Sequence, residues 1–168
     1  GGHRPGNNLF SGSIVCLDIR TGERIWHHQI IHHDIWDWDP PSAPILIDLN
    51  VDGQPVEAVI QLSKTAHAFT FDRRTGEPVF EIEERPVPQS DAPGEQTSPT
   101  QPFPTRPPGF DQQGMTLDDL IDFTPEIRSL ALQAIEGLRI GPMFTPPSVI
   151  DPDRGMRGTF MFPGSGGP

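Results

Sequence analysis

The chain has 168 residues, and its 21 prolines, 17 glycines and 34% hydrophobic residues predict a modest hydrophobic core. The net charge of −11 and the lack of any basic run exclude nucleic-acid binding through phosphate contacts. No apolar run is long enough for a signal peptide or a membrane span, and because the chain starts at Gly1 rather than Met we expect a fragment of a longer protein.

A repeated motif organises the first half of the chain. Residues 16–26, CLDIRTGERIW, resemble residues 70–80, TFDRRTGEPVF, with an aspartate, a Thr-Gly-Glu turn and a terminal aromatic residue at matching places. Each copy predicts a strand, a turn in which glycine takes positive φ, and a second strand. One such unit cannot bury its own faces, so the repeat predicts an array of small sheets.

Six strands are predicted ahead of the proline-rich region. They cover residues 13–19, 24–31, 43–49, 57–63, 66–72 and 78–83. Asp52 and Gly53 predict a hairpin between the third and fourth strands. The last four strands amount to about one propeller blade, which favours an all-β fold. Cys16 lies in an apolar run, and we interpret it as a small buried residue.

The middle of the chain predicts an insertion. Residues 85–114 are too rich in proline for a regular element and predict a connector or lid. Thr116 and Asp119 predict a short capped helix, and Thr124 followed by Pro125 predicts the start of another. The second helix carries an apolar stripe that we expect to be packed. The stripe consists of Ile127, Leu130, Ala131, Ala134, Ile135 and Leu138.

These features divide the chain into three parts. Residues 1–85 are predicted to hold blade segments with the two repeats, and residues 86–142 the proline-rich excursion with its helical insertion. Residues 143–168 are predicted to start a further blade.

Residues 32–41, HHDIWDWDPP, called the dense stretch below, combine metal-ligand residue types, carboxylates and tryptophans. A metal site is one interpretation, but in an extended chain neighbouring histidines point to opposite faces, and no HExxH-type helical pair occurs. An extended backbone would place Asp37 and Asp39 on one face, and Trp36 and Trp38 on the other as an apolar wall. A carboxylate beside that wall is a candidate general base, and a polar turn without function is the remaining alternative.

Lys64 is the one lysine among 12 basic residues. It can be an ordinary solvated lysine at a strand edge. Its compact ammonium can equally polarise a carbonyl or quinone oxygen next to a carboxylate base, which makes it the candidate partner of the dense stretch.

Several motifs together resemble one family. LDIRTGERIW is similar to the tryptophan-docking motif of quinoprotein alcohol and glucose dehydrogenases. The segments HHDIWDWDPPSAP, KTAHAFTFDRRTGEP, ERPVPQ, SPTQPF and FTPPS resemble the glucose-dehydrogenase-like branch in the same order. Cys16 stands where the docking motif usually has alanine, and Phe80 replaces the second tryptophan.

The resemblance implies a partial eight-bladed β-propeller with a proline-rich, helix-containing insertion. It implies pyrroloquinoline quinone (PQQ) and calcium as cofactors and an alcohol or aldose sugar as substrate. By motif position Asp37 matches the catalytic base, and Lys64 matches the residue that hydrogen-bonds the quinone oxygens. No calcium ligand is assigned, because the family's ligands and its cofactor-stacking tryptophan come from blades that this chain lacks.

The resemblance further implies a periplasmic protein, membrane-associated in its full length, that passes electrons to a membrane quinone or a cytochrome. The remaining propeller blades are then its structural partners, and the fragment alone is expected to be inactive. Two alternatives belong to other classes. One is a non-catalytic propeller that binds proteins in the cell envelope, and the other is a hydrolytic metalloenzyme that uses zinc.

Overall fold

A computed structural model describes residues 3–163 of the chain, so the last five residues of the predicted third part, 164–168, lie outside the described residues. The described chain consists of nine strands, one α-helix and two 3-10 turns. The strands are β1 (Ser13–Leu17), β2 (Arg24–Gln29), β3 (Ile45–Val51), β4 (Gln54–Leu62), β5 (Ala68–Asp72), β6 (Ile82–Pro86), β7 (Thr100–Pro104), β8 (Leu138–Arg139) and β9 (Gly158–Thr159). The helix α1 is Pro125–Ile135, and the 3-10 turns are Leu117–Asp119 and Pro152–Arg154.

The strands form four small sheets. β1 pairs with β2, β3-β4-β5 form an antiparallel three-stranded sheet, β6 pairs with β7, and β8 pairs with β9 in parallel. The hairpin between β3 and β4 is the predicted one: Asp52 and Gly53 both have positive φ, at 52° and 84°, as a type I′ turn requires.

The two repeats fold into matching turns. The Asp18 carboxylate accepts hydrogen bonds from the backbone N–H groups of Arg20 at 2.7 Å and Thr21 at 3.0 Å. Asp72 does the same in the second repeat, at 2.8 Å and 3.1 Å. These donors hold the pKa of both aspartates below the ordinary value. The spacing that the two copies share therefore encodes a local side-chain-capped turn.

Trp26 joins the first repeat to the second. Its indole lies against Gly76, where an added Cβ would be 2.6 Å from two ring carbons, and its Nε1–H donates to the carbonyl oxygen of Arg73 at 3.2 Å. Gly76 also has a φ of 77°. The turn of the second repeat thus needs glycine for two reasons, its backbone conformation and the close approach of the tryptophan.

The core consists of two hydrophobic clusters. The first cluster lies between the β1-β2 hairpin and the three-stranded sheet and contains Ile14, Trp26, Ile30, Val59, Phe69 and Phe71. The second cluster lies under the dense stretch and contains Ile31, Trp36, Trp38, Val87, Met143 and Phe144. Cys16 packs against the first cluster but is only partly buried, less than predicted.

The predicted fourth strand of the blade, residues 78–83, is absent from the described three-stranded sheet. Contact with β5 is limited to a single bridge between Pro78 and Phe71 and a hydrogen bond from Val79 N–H to Thr70 O at 2.9 Å. Proline has no N–H to continue a ladder, and the chain turns away to form β6 instead. This part of the strand prediction was therefore wrong.

The proline-rich region is more ordered than its composition predicts, because β7 lies inside it and pairs with β6. Thr105 N–H donates to Glu81 O at 2.9 Å, and Val87 N–H donates to Pro99 O at 3.2 Å. Since hydrogen-bonded pairs alternate along an antiparallel ladder, Pro102 and Pro104 fall at the positions that need no N–H. The expectation of no regular element between 85 and 114 is therefore wrong.

The helical insertion begins as predicted. The Thr124 hydroxyl accepts from Ile127 N–H at 3.3 Å with Pro125 in the first turn, and Thr116 and Asp119 form a capping box. The apolar stripe of α1 is not packed, since no residue of α1 is buried and Leu130 is 64% exposed. No described helix is long and apolar enough to cross a membrane.

Candidate functional site

Asp34 organises the dense stretch. Its Oδ1 accepts from Trp36 N–H at 2.8 Å, and its Oδ2 accepts from Trp38 N–H at 2.8 Å. Burial raises the pKa of this carboxyl above the ordinary value, although the two backbone donors oppose the shift. Both donors bend the chain into a tight turn, so the predicted extended backbone of residues 32–39 is wrong.

The predicted aromatic wall exists, but it faces the protein interior. Trp36 and Trp38 stack with ring centroids 5.5 Å apart, and the edge of Phe144 packs against both at 5.3 Å. The Trp36 indole N–H donates to the Thr145 carbonyl oxygen at 2.9 Å. Both tryptophans are buried, so they fix the position of the turn and have no face free for a flat ligand.

Asp37 lies between the two tryptophans and points outward. Its backbone has a φ of 65°, in the left-handed region, and its side chain is 87% exposed. The tryptophans therefore anchor the turn on both sides while the carboxylate remains accessible. The burial of the tryptophans therefore does not desolvate the Asp37 carboxylate.

Lys64 reaches the same turn from the β4-β5 connection. Its Nζ donates to Asp39 Oδ1 at 2.9 Å and to the Asp37 carbonyl oxygen at 2.9 Å, and lies 3.4 Å from Asp37 Oδ2. The lysine side chain is 15% exposed, which argues against an ordinary solvated lysine. The hydrogen bond that Lys64 donates to the Asp39 carboxylate is the main cause that raises the pKa of Lys64.

The two residues singled out from the sequence thus lie together; the sequence analysis had placed Asp39 beside Asp37 without pairing it with Lys64, and it had missed Arg4. Asp39 is the closer carboxylate partner of Lys64, whereas Asp37 makes the longer contact. Arg4 donates to the Asp34 carbonyl oxygen at 2.6 Å and brings a guanidinium to the turn. Alternating sequence patterns gave no signal for either role.

A cavity of about 420 Å³ borders this turn. Its lining consists of Arg4, Ser11, Asp34, Ile35, Asp37, Asp39 and Glu95. The N-terminal loop, the dense stretch and the proline-rich excursion all contribute to it. The exposed carboxylate of Asp37 is therefore next to a space large enough for a small polar molecule.

The histidines of the dense stretch do not converge. His33 bonds the Gly6 carbonyl oxygen through Nδ1 at 2.7 Å, whereas His32 bonds Gln29 and Glu84 at 2.9 Å and 3.0 Å. No group of three or more His, Cys, Asp or Glu residues within 3–163 is placed to hold a metal ion. The described residues therefore do not offer a histidine-rich zinc site.

Comparison with known proteins identifies the family. A family model described as "PQQ: Glucose/ethanol/alcohol dehydrogenase, beta-propeller domain" matches residues 1–168, the whole chain. The chain belongs to this family. It is therefore part of a quinoprotein β-propeller domain, and the predicted family and fold class are confirmed.

Individual relatives agree with this assignment. The chain is 37% identical to the quinoprotein glucose dehydrogenase of Escherichia coli strain K12 over 173 residues, covering 98% of the chain and 20% of the relative. It is 39% identical to the quinoprotein glucose dehydrogenase of Gluconobacter oxydans strain 621H over 163 residues, covering 92% of the chain and 18% of the relative. The chain thus spans about a fifth of the length of these curated relatives.

Solved structures include a partial match to the quinohemoprotein alcohol dehydrogenase of Comamonas testosteroni. The identity is 30% and the TM-score 0.43, over 60% of this chain and 14% of the other. For this quinoprotein segment, the family assignment therefore comes from the sequence match over its whole length.

Proposed function

We propose that the chain is a segment of a PQQ-dependent dehydrogenase that oxidises an alcohol or an aldose sugar. The observation that carries the proposal is the contact of Lys64 with the Asp37 turn, because it brings the chain's one ammonium group beside an exposed carboxylate. Membership of the family supports PQQ as the cofactor, and names of relatives such as glucose, glycerol and quinate dehydrogenase support an oxidation of hydroxyl groups.

The hydrogen bonds that Lys64 donates are compatible with the binding of a quinone oxygen. Two of its acceptors lie at 2.9 Å, whereas the contact to Asp37 Oδ2 is long at 3.4 Å. An oxygen of a bound quinone would replace this weakest contact and leave the ammonium fully hydrogen-bonded. The Asp37 carboxylate would then be released from the lysine and available to the substrate.

PQQ, when bound, supplies the quinone that takes the two electrons and the hydrogen of the substrate C–H bond. Asp37 would accept the proton of the substrate hydroxyl group, since its carboxylate is exposed to the adjacent cavity. Asp39 would keep Lys64 in place, because it holds the shorter of the two carboxylate contacts. Lys64 would orient the cofactor and stabilise negative charge on its oxygens.

We do not assign calcium to this chain, since no group of three or more carboxylate, histidine or cysteine side chains within the described residues could hold it. The remaining propeller blades would supply the calcium ligands and the rest of the PQQ site. We further propose a periplasmic location, with a membrane quinone or a cytochrome as the electron acceptor of the whole protein.

The test uses the full-length gene product that contains this chain, loaded with PQQ and calcium and assayed by dye reduction with glucose and short alcohols. The Asp37→Asn variant should lose about 10²- to 10⁴-fold in kcat and keep its affinity for PQQ, because only the proton acceptor is removed. Asp52→Asn is the matched control, since Asp52 is also exposed and has a φ of 52°. It should keep full activity.

Full activity in Asp37→Asn would remove the proposed base. Failure of the wild-type protein to bind PQQ would instead favour the alternative, a non-catalytic propeller that binds proteins.

A further inference from the structure

The turn that carries Lys64 is stabilised by hydrogen bonds among buried polar residues. The hydroxyl groups of Ser63 and Thr65 are 2.6 Å apart, and Thr65 Oγ1 lies 3.2 Å from His67 Nδ1. Ser63 Oγ donates back to the His67 carbonyl oxygen at 3.2 Å. These three residues are buried and alternate with Lys64 and Ala66, so they set the shape of the turn.

The proline-rich excursion closes over this turn. Gln113 Nε2 lies 2.8 Å from His67 Nε2 and 3.3 Å from the Thr65 carbonyl oxygen. The backbone N–H of Phe110 donates to the Ala66 carbonyl oxygen at 2.9 Å. A Cβ at Gly109 would overlap Gln113 Nε2, so the missing side chain at that glycine leaves room for the amide.

A hydrogen-bond donor lies against the His67 ring. The Gln113 amide nitrogen can only donate, and it lies 2.8 Å from His67 Nε2 and 3.5 Å from His67 Nδ1. Rotating the amide would place its oxygen against the Thr65 carbonyl oxygen, where neither atom has a hydrogen to share. A donor beside both ring nitrogens disfavours a protonated ring, so the contact favours a neutral His67.

The surroundings of His67 favour the same state. Its ring packs edge-on against Phe69 and Phe103 with centroids 6.2 Å and 5.7 Å away. Arg85 on β6 lies over the Phe103 ring and adds a positive charge. Burial, followed by the charge of Arg85, lowers the pKa of His67 to about 4. Lys64, on the same turn, is the other nearby cation.

We propose that His67 and Gln113 are positioning residues for Lys64. Gln113, in the insertion, contacts the neutral His67 ring on the lysine turn, and this contact, called the clasp below, holds the ammonium towards the cofactor. This inference rests on the proposed role of Lys64. It assigns a function to the proline-rich excursion that its composition did not indicate. In the described contacts Gln113 touches neither Lys64 nor the aspartates, so it would act on Lys64 only through His67 and the turn.

The first experiment is a double-mutant cycle on PQQ affinity, measured in the full-length protein by quenching of tryptophan fluorescence. Gln113→Ala should weaken PQQ binding about tenfold in the wild-type background and have little further effect in a Lys64→Met background, as coupled residues do. Gln113 is exposed, so this variant should fold, whereas truncation of the buried His67 risks the fold. Gln112→Ala is the matched control and should change nothing.

Equal effects of Gln113→Ala in both backgrounds would overturn the clasp and leave the proposed function intact. Unchanged PQQ affinity in Lys64→Met would overturn the role of the lysine itself, and the positioning role with it.

The second experiment uses the His67 ring as its readout and needs no cofactor. Proteins labelled with ¹³C at the histidine Cε1 are titrated by NMR, and the His67 signal is assigned by its loss in His67→Gln. The wild-type ring should stay neutral down to acid pH. In Gln113→Glu the new carboxylate accepts from Nε2–H, so the pKa of His67 should rise. An unchanged titration would show that residue 113 does not contact the ring and would refute the clasp.

Discussion

The contact between Trp26 and Gly76 provides a stringent test of how the two repeats are joined. In Gly76→Ala the new methyl group costs about 1–2 kcal/mol because the backbone is left-handed. It also overlaps the indole, where ring carbons lie 2.6 Å from the Cβ position, so Trp26 must move and release its hydrogen bond to the Arg73 carbonyl oxygen. Overpacking adds about 1–3 kcal/mol and the lost bond about 1 kcal/mol. The expected destabilisation is about 3–6 kcal/mol.

Gly22 supplies the matched control, because it is the same position in the first repeat. Its φ is 73°, but nothing lies within 4 Å of an added Cβ, so Gly22→Ala should cost only the backbone term of about 1–2 kcal/mol. Both variants are compared by urea unfolding of the 168-residue chain itself, for which the surroundings of both glycines are described, with the slopes checked for equality. Equal losses for the two variants would refute the argument that the tryptophan contact joins the repeats.

Three further predictions concern stability. Asp34→Ala removes the acceptor of two backbone N–H groups and should cost about 2–4 kcal/mol in urea unfolding, with a smaller loss in Asp34→Asn; equal losses would contradict the two-oxygen role. Because the pKa of His67 falls from 6.5 to about 4 on folding, the free energy of unfolding should be highest above pH 6.5 and should fall as the pH drops towards 4, by on the order of 3 kcal/mol. In His67→Gln the free energy of unfolding, measured against pH, should lose this dependence. Thr124→Ala should cost about 1 kcal/mol through loss of the helix cap, with Thr124→Ser close to wild type in the same assay.

Features encoded within a few residues were predictable from the sequence. The Asp-X-X-Thr-Gly-Glu motif forms its own turn, since Asp18 bonds residues only two and three positions away. Asp52 and Gly53 formed the expected hairpin for the same local reason. Thr124 capped the helix because the cap involves its own first turn. Proximity of Asp37 and Lys64 was inferred from the family motifs and from their chemistry, without any geometric signal in the sequence.

Features that depend on distant contacts were missed, and so was one local turn. The side chain of Asp34 overrode the alternation of residues 32–39, because two local hydrogen bonds outweigh an extended preference. β7 contains two prolines, but both occupy non-bonded positions of the ladder, a register that composition does not reveal. The contact of His67 with Gln113 spans 46 residues, so no local pattern could indicate it.

The charge of the cavity beside Asp37 bears on which substrates suit the proposed reaction. Four carboxylates line it, those of Asp34, Asp37, Asp39 and Glu95, whereas the nearby cations are Arg4 in the lining and Lys64 beside Asp37 and Asp39. A carboxylate substrate would meet net repulsion there, whereas hydroxyl groups can donate to these oxygens. For the proposed reaction we therefore expect a neutral alcohol or sugar to suit this chain's part of the site better than an acid such as quinate, although quinate dehydrogenases are among the relatives. Asp39 makes the shorter contact with Lys64, and in the proposed reaction this leaves Asp37 as the less tightly paired of the two carboxylates.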